Sequence, residues 1–173
     1  MQLTLFTDYS LRVLIFLALH SGRSVPSAEI ASSFGISRNH LLKVVRALVE
    51  QGLVDSTRGA GGGLRLARPA SEIRIGQLVR RMEPATPLLE CFDLKTNQCR
   101  IVPACTLKRV LARALAAFHA ELDQHTLGDL VHQRGELLEL LQPVPARARA
   151  RKTGSGRYPA GSRALGTARR TTP

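Results

Sequence analysis

Hydrophobic positions recur at helical spacing from the start of the chain. Over residues 7–20, Leu11, Val13, Leu14, Phe16 and Leu17 fall as a mostly buried helix requires. The polar run "SGRSVPS" ends it. A short second helix is predicted from Ser27, whose hydroxyl caps it, with Glu29 in the first turn favoured by the helix dipole. Gly35 stops that helix. Ser37 caps a third, "SRNHLLKVVRALVEQ", which ends near Gly52. Two short apolar runs, around residues 53–54 and 64–66, flank a glycine-rich turn and predict a β-hairpin with a long loop. "EIRIGQLVRRME" resumes helical spacing. Farther on, Leu107, Leu111, Leu115, Phe118 and Leu122 step by 4, 4, 3 and 4, an apolar seam along one helix of about 16 residues. A last helix is predicted over about 127–141.

Three helices followed by a hairpin is the order of a winged helix-turn-helix. Local spacing sharpens this. Ala31 is small where two helices cross, and Gly35, four residues on, sits where the turn needs positive φ. Leu41 and Val44 then bury the next helix against the previous one. The expected fold is mainly α: a winged helix-turn-helix DNA-binding domain with a long C-terminal dimerisation helix. Little other chain is left to cover the seam, so a second copy of the chain is the expected partner.

In such a unit the start of the second helix of the motif enters the major groove. The polar residues there are Ser37, Arg38, Asn39 and His40, with Lys43 one turn on. Arg and Asn make paired hydrogen bonds to guanine and adenine edges. The wing tip is "RGAGGG", residues 58–63. It lacks the Lys-Ser/Thr of a phosphate-binding P-loop and opens no helix. As a wing it is apt: Arg58 enters a narrow minor groove, Gly59 lets the backbone approach the sugar-phosphate edge, and Arg65 contacts phosphate.

Charge supports a polyanionic partner. The 173 residues carry a net charge of +12, unevenly placed. Residues 142–173 hold eight Arg or Lys and no acid, whereas the rest of the chain has a net charge of +4. That tail is rich in Pro, Gly, Ala and Arg with little to bury, so it is expected to be disordered and to serve as a solubilising or phosphate-binding arm. The longest apolar stretch, residues 13–19, is too short for a membrane span, and "MQLTLFTDYSLR" does not resemble a signal peptide. A cytoplasmic protein with reduced thiols is expected. The expected divisions are 1–83 for the DNA-binding domain, 84–105 for a cysteine-containing loop, 106–141 for the dimerisation and terminal helices, and 142–173 for the basic tail.

All three cysteines, Cys91, Cys99 and Cys105, lie within "CFDLKTNQCRIVPAC". A polar, Pro-containing loop is not core, and a disulfide would strand one thiol. Closed zinc sites take four ligands, usually with a close C-x2-C pair that is missing here. Iron–sulfur clusters tolerate wider gaps. The chemistry favours a cluster and leaves zinc and a thiol redox switch open.

"LTLFTDYSLRVLIFLA", "GISRNHLLKVVRALVEQGLV", "RGAGGGLRLA" and "CFDLKTNQCRIVPACTLKRVL" together resemble the winged-helix regulator family that includes nitric-oxide-sensing repressors and the iron–sulfur regulator IscR. The resemblance covers about residues 1–140. It implies a homodimer in which each subunit carries a [4Fe-4S] cluster on Cys91, Cys99 and Cys105. It further implies a non-cysteine fourth ligand, Asp8 of the partner subunit. The function implied is a repressor that binds an inverted-repeat operator in double-stranded DNA. Nitric oxide attack on the cluster releases the operator and derepresses nitric-oxide detoxification genes. The alternative is a regulator of the same fold that reports iron–sulfur status or general redox stress, which a [2Fe-2S] cluster would fit. Ala60 and the tail depart from the family pattern; neither bears on the cluster. No enzyme is expected: five histidines form no HExxH, and no Ser/His/Asp arrangement is evident.

Overall fold

The computed structural model of the chain describes residues 2–59, 61–84, 86–93 and 95–142. The Thr4 side chain accepts a hydrogen bond from the Thr7 N–H and so starts α1 (Leu5–Leu19), two residues before the apolar pattern begins. Val13, Leu14, Phe16 and Leu17 of α1 are buried and form the centre of the core.

α2 (Ser27–Phe34) is short, and its start differs from the sequence expectation. Pro26 occupies the cap position in extended geometry, no side chain caps the helix, and Ser27 is its first residue. The cause is the preceding bridge. Val25 pairs with Leu64 through two backbone hydrogen bonds, of 3.0 and 2.8 Å, which holds the chain extended up to Pro26. Gly35 ends α2 at φ 66°, a left-handed turn that places Ile36 in the core. Ser37 caps α3 (Arg38–Glu50) by accepting from the His40 N–H at 3.3 Å. One face of α3 (Leu41, Val44, Val45, Leu48) is buried.

β1 (Val54–Thr57) and β2 (Gly63–Leu66) form the antiparallel hairpin, with Val54 opposite Leu66 and Thr57 opposite Gly63. Val54 and Leu64 pin this wing to the core. A 3-10 turn at Ala70–Glu72 leads to α4 (Ile75–Met82), which buries Ile75, Leu78, Val79 and Met82. The cysteine loop holds two more 3-10 turns, Glu90–Phe92 and Val102–Ala104.

The seam helix is α5 (Thr106–Asp123), 18 residues long. Phe118 and Leu122 pack on the core, yet no α5 residue is buried, and Leu107 and Val110 are 60% and 44% exposed. The terminal helix is broken rather than continuous. α6 (Leu127–Leu130) opens with a Thr126–Asp129 capping box, and α7 (Arg134–Leu140) follows after a turn. The break turns the chain back, so that Leu138 and Leu141 line a cleft with Phe16 and His20 of α1. The basic tail expected over 142–173 lies, Gln142 aside, outside the described residues, as does Ala60. No helix among the described residues is long and apolar enough to cross a membrane.

Candidate nucleic-acid interface and cysteine loop

Burial of one face of α3 leaves the opposite face to solvent. Arg38, Asn39, His40 and Lys43 are all exposed there. His40 sits about a quarter turn around the helix from Asn39, and its ring lies 6.4 Å from that of Tyr9 on α1. Ser37 already serves α3 as its cap, so only the remaining capacity of its hydroxyl faces outward. Two exposed residues on the same stripe escape a search for polar donors at the helix start. Arg46 is ion-paired to Glu50 at 2.9 Å, and Leu42 is apolar.

At the wing, Arg58, Gly59 and Arg65 are exposed, with Gly59 in left-handed geometry at φ 101°. Arg65 stands opposite Asp55 in the hairpin register. Arg68, also basic and nearby, donates to the Gly52 carbonyl at 3.0 Å and braces the exit of α3. α3 and the wing thus offer several exposed cations that can face a phosphate backbone.

The cysteine loop runs from the end of α4 to the start of α5. All three thiols are free: Cys91 is buried, Cys99 and Cys105 are half-buried. The loop is held by its own polar side chains. Glu90 accepts from the Gln98 N–H at 3.2 Å, and Asn97 accepts from the Cys99 N–H at 3.1 Å. Asp93 accepts from the Lys95 N–H and the Thr96 hydroxyl, both at 2.9 Å, and these bonds hold its carboxyl below the usual range. Cys105 has a role the sequence did not disclose: its sulfur caps α5, accepting from the Lys108 N–H at 3.4 Å. Three free thiols carried on one loop are a donor set that suits a metal–thiolate cluster. No three His, Cys, Asp or Glu side chains among the described residues are gathered as a metal-ion site. Asp8 is held elsewhere: Arg12, one turn along α1, grips both its oxygens at 2.9 and 2.8 Å.

The start of α1 is tied to the start of the loop. Glu83, at the C-terminus of α4, accepts from the Thr4 N–H at 2.8 Å and the Thr4 hydroxyl at 3.1 Å. Burial pushes the Glu83 carboxyl up, but hydrogen bonds from Thr7 and Thr4 together outweigh it and leave the group below its ordinary range.

Comparison with known proteins agrees with this arrangement. The family model described as "Rrf2: Iron-dependent Transcriptional regulator" matches residues 3–133. The chain is 50% identical over 142 residues to the HTH-type transcriptional regulator NsrR of Oceanobacillus iheyensis, an alignment covering 82% of this chain and 97% of that protein. Among solved structures it is similar to T. potens IscR, at 26% identity and a TM-score of 0.62 over 86% of this chain and 96% of that one. It is also similar to CymR, the global cysteine regulator of B. subtilis, at 30% identity and a TM-score of 0.62 over 75% of this chain and 95% of that one. A winged head, exposed cations on its third helix and a family match spanning head, loop and α5 lead to one conclusion: the chain is a transcriptional regulator and belongs to the Rrf2 family.

Proposed function

We propose that this regulator is a cytoplasmic, homodimeric repressor that binds an inverted-repeat operator and releases it in response to nitric oxide. Cys91, Cys99 and Cys105 hold an iron–sulfur cluster, [4Fe-4S] in this reading, with Asp8 of the partner subunit as the fourth ligand. The observation that carries the proposal is the placement of all three free thiols on one loop between α4 and α5, in a chain half identical to a regulator named NsrR. When bound, the cluster supplies iron that reacts with nitric oxide. The residues of the chain do the rest. The thiols fix the loop, and the loop holds the N-terminus of α5 through Cys105. Asp8 lies one helical turn after Thr4, which Glu83 ties to the base of the same loop. With a cluster bound, the three thiols and Asp8 of the partner subunit would hold the loop and the start of α1 together across the dimer, and their release would leave the spacing of the two α3 helices unfixed. The switch requires a difference in DNA affinity on the order of 1 to 3 kcal/mol between the two forms.

Titrating air-free protein with nitric oxide, while recording visible absorbance and operator binding, tests this. Operator affinity is expected to fall within a few equivalents; unchanged affinity would sink the nitric-oxide reading. Similarity to IscR over most of the chain favours one rival, a sensor of iron–sulfur status. Under that reading, removal of iron and sulfide changes operator affinity while nitric oxide has no privileged effect.

A further inference from the structure

We infer that Leu42 reads the C5 methyl of a thymine in the major groove and so fixes part of the operator sequence. The inference rests on α3 being the helix that enters the groove. α3 has two unlike faces: Leu41, Val44, Val45 and Leu48 are buried, whereas Arg38, Asn39, Lys43 and Arg46 are exposed. Leu42 belongs to the exposed face. It follows Arg38 by four residues and Asn39 by three, and precedes Arg46 by four, so these side chains form one stripe. Leu42 is 47% exposed and is not part of the apolar core.

An isolated exposed leucine is ordinary on a protein surface. This one differs in its neighbours. It interrupts a run of cations and an amide at the helix end that enters the groove, about 6 Å along the axis from Arg38. The major-groove edges offer donors and acceptors at nearly every position. The thymine methyl is the apolar group they present, and an apolar side chain at this depth is its complement. Val49 is the other exposed apolar residue of α3, at 39%, but it lies about 16 Å from Arg38, toward the far end of the helix. Leu42 therefore discriminates thymine from cytosine, while Arg38 and Asn39 supply hydrogen bonds to purines.

The test uses the full chain, prepared without oxygen, and a duplex operator selected by that chain from a random pool. Each thymine is replaced in turn by uracil, which removes the methyl and keeps the pairing and the O4 acceptor. Wild-type affinity is expected to fall about fourfold at one or more thymines, the worth of one buried methyl group. Leu42→Ala should bind the parent operator more weakly by a similar factor and lose its response to uracil at those same positions. Val49→Ala should respond as wild type does. Thermal melting of Leu42→Ala checks that the fold is intact. A uracil response in Leu42→Ala equal to that of wild type overturns the inference, as does an operator at which no thymine methyl matters. Failure of the chain to select any sequence is a separate outcome, because it removes the groove-reading role of α3 along with that of Leu42.

Discussion

Cys105 has a role that Cys99 does not share. Its sulfur is a candidate cluster ligand and also the cap of an 18-residue helix. Replacing either cysteine by alanine should abolish cluster retention, read as loss of visible absorbance and of iron and sulfide, with the winged head still folded. In metal-free protein the two variants should part company. Cys105→Ala also removes a helix cap, worth about 0.5 kcal/mol at the low end of cap measurements, so it should melt below Cys99→Ala. Equal melting would show that the 3.4 Å contact contributes nothing. Glu83 gives a second prediction at this scale. Its carboxyl is depressed in the folded protein, so the stability it contributes is present above the ordinary glutamate value of about 4.3 and is lost as pH falls through the folded value. Wild-type melting should therefore drop more steeply than that of Glu83→Gln as pH is lowered from 6 toward 3. At neutral pH the variant should be the less stable of the two. Parallel curves would refute the tie between Thr4 and Glu83.

The junction between α4 and α5 depends on a close approach. A Cβ added at Gly76 would lie 2.1 Å from Asp123 Oδ1 and 2.9 Å from the Asp123 backbone nitrogen. The Asp123 carboxylate is also gripped by Arg80 at 2.6 Å, which holds it below its usual range. Swinging that carboxylate aside would relieve only one of the two clashes. Gly76→Ala is thus expected to destabilise by about 1 kcal/mol or more, even after the helix-propensity gain of about 1 kcal/mol. Arg80→Ala, at an exposed pair, should change little. Urea midpoints of the two variants decide the order. Elements of this kind mark the boundary of what the sequence discloses. The three head helices and the hairpin were legible because their apolar spacing, Gly35 and the Ser37 cap are local signals. The break between α6 and α7 was not, because Leu127, Val131, Leu138 and Leu141 keep helical spacing across it. Nor was the Pro26 start of α2, which is imposed by a strand bridge from Leu64, far along the chain. The site divides in the same way. Exposed cations on α3 and the wing follow from position on local elements, whereas the Arg12 grip on Asp8 and the Cys105 cap are details of side-chain geometry.

At the scale of the whole molecule, α5 is a long helix with no residue buried by its own chain. Its C-terminal part rests on the head through Phe118 and Leu122, while Leu107 and Val110, near the cysteine loop, face solvent. An apolar stripe left open on an 18-residue helix is the surface that a second copy of the chain would cover. A two-fold dimer built there would also set the distance between two α3 helices, which an inverted-repeat operator requires. Because Leu107 and Val110 lie outside the core, replacing both by Asp should leave the head folded, with an unchanged helical circular dichroism spectrum, while the chain sediments as a monomer. Affinity for a two-site operator should then fall toward that for a half-site, by at least about 100-fold given the usual gain from linked binding. Affinity for the half-site alone should hardly change, since α3 and the wing are untouched. A variant that remains dimeric would place the subunit contact elsewhere. One that becomes monomeric yet binds the full operator as tightly as wild type would show that operator recognition does not need the dimer.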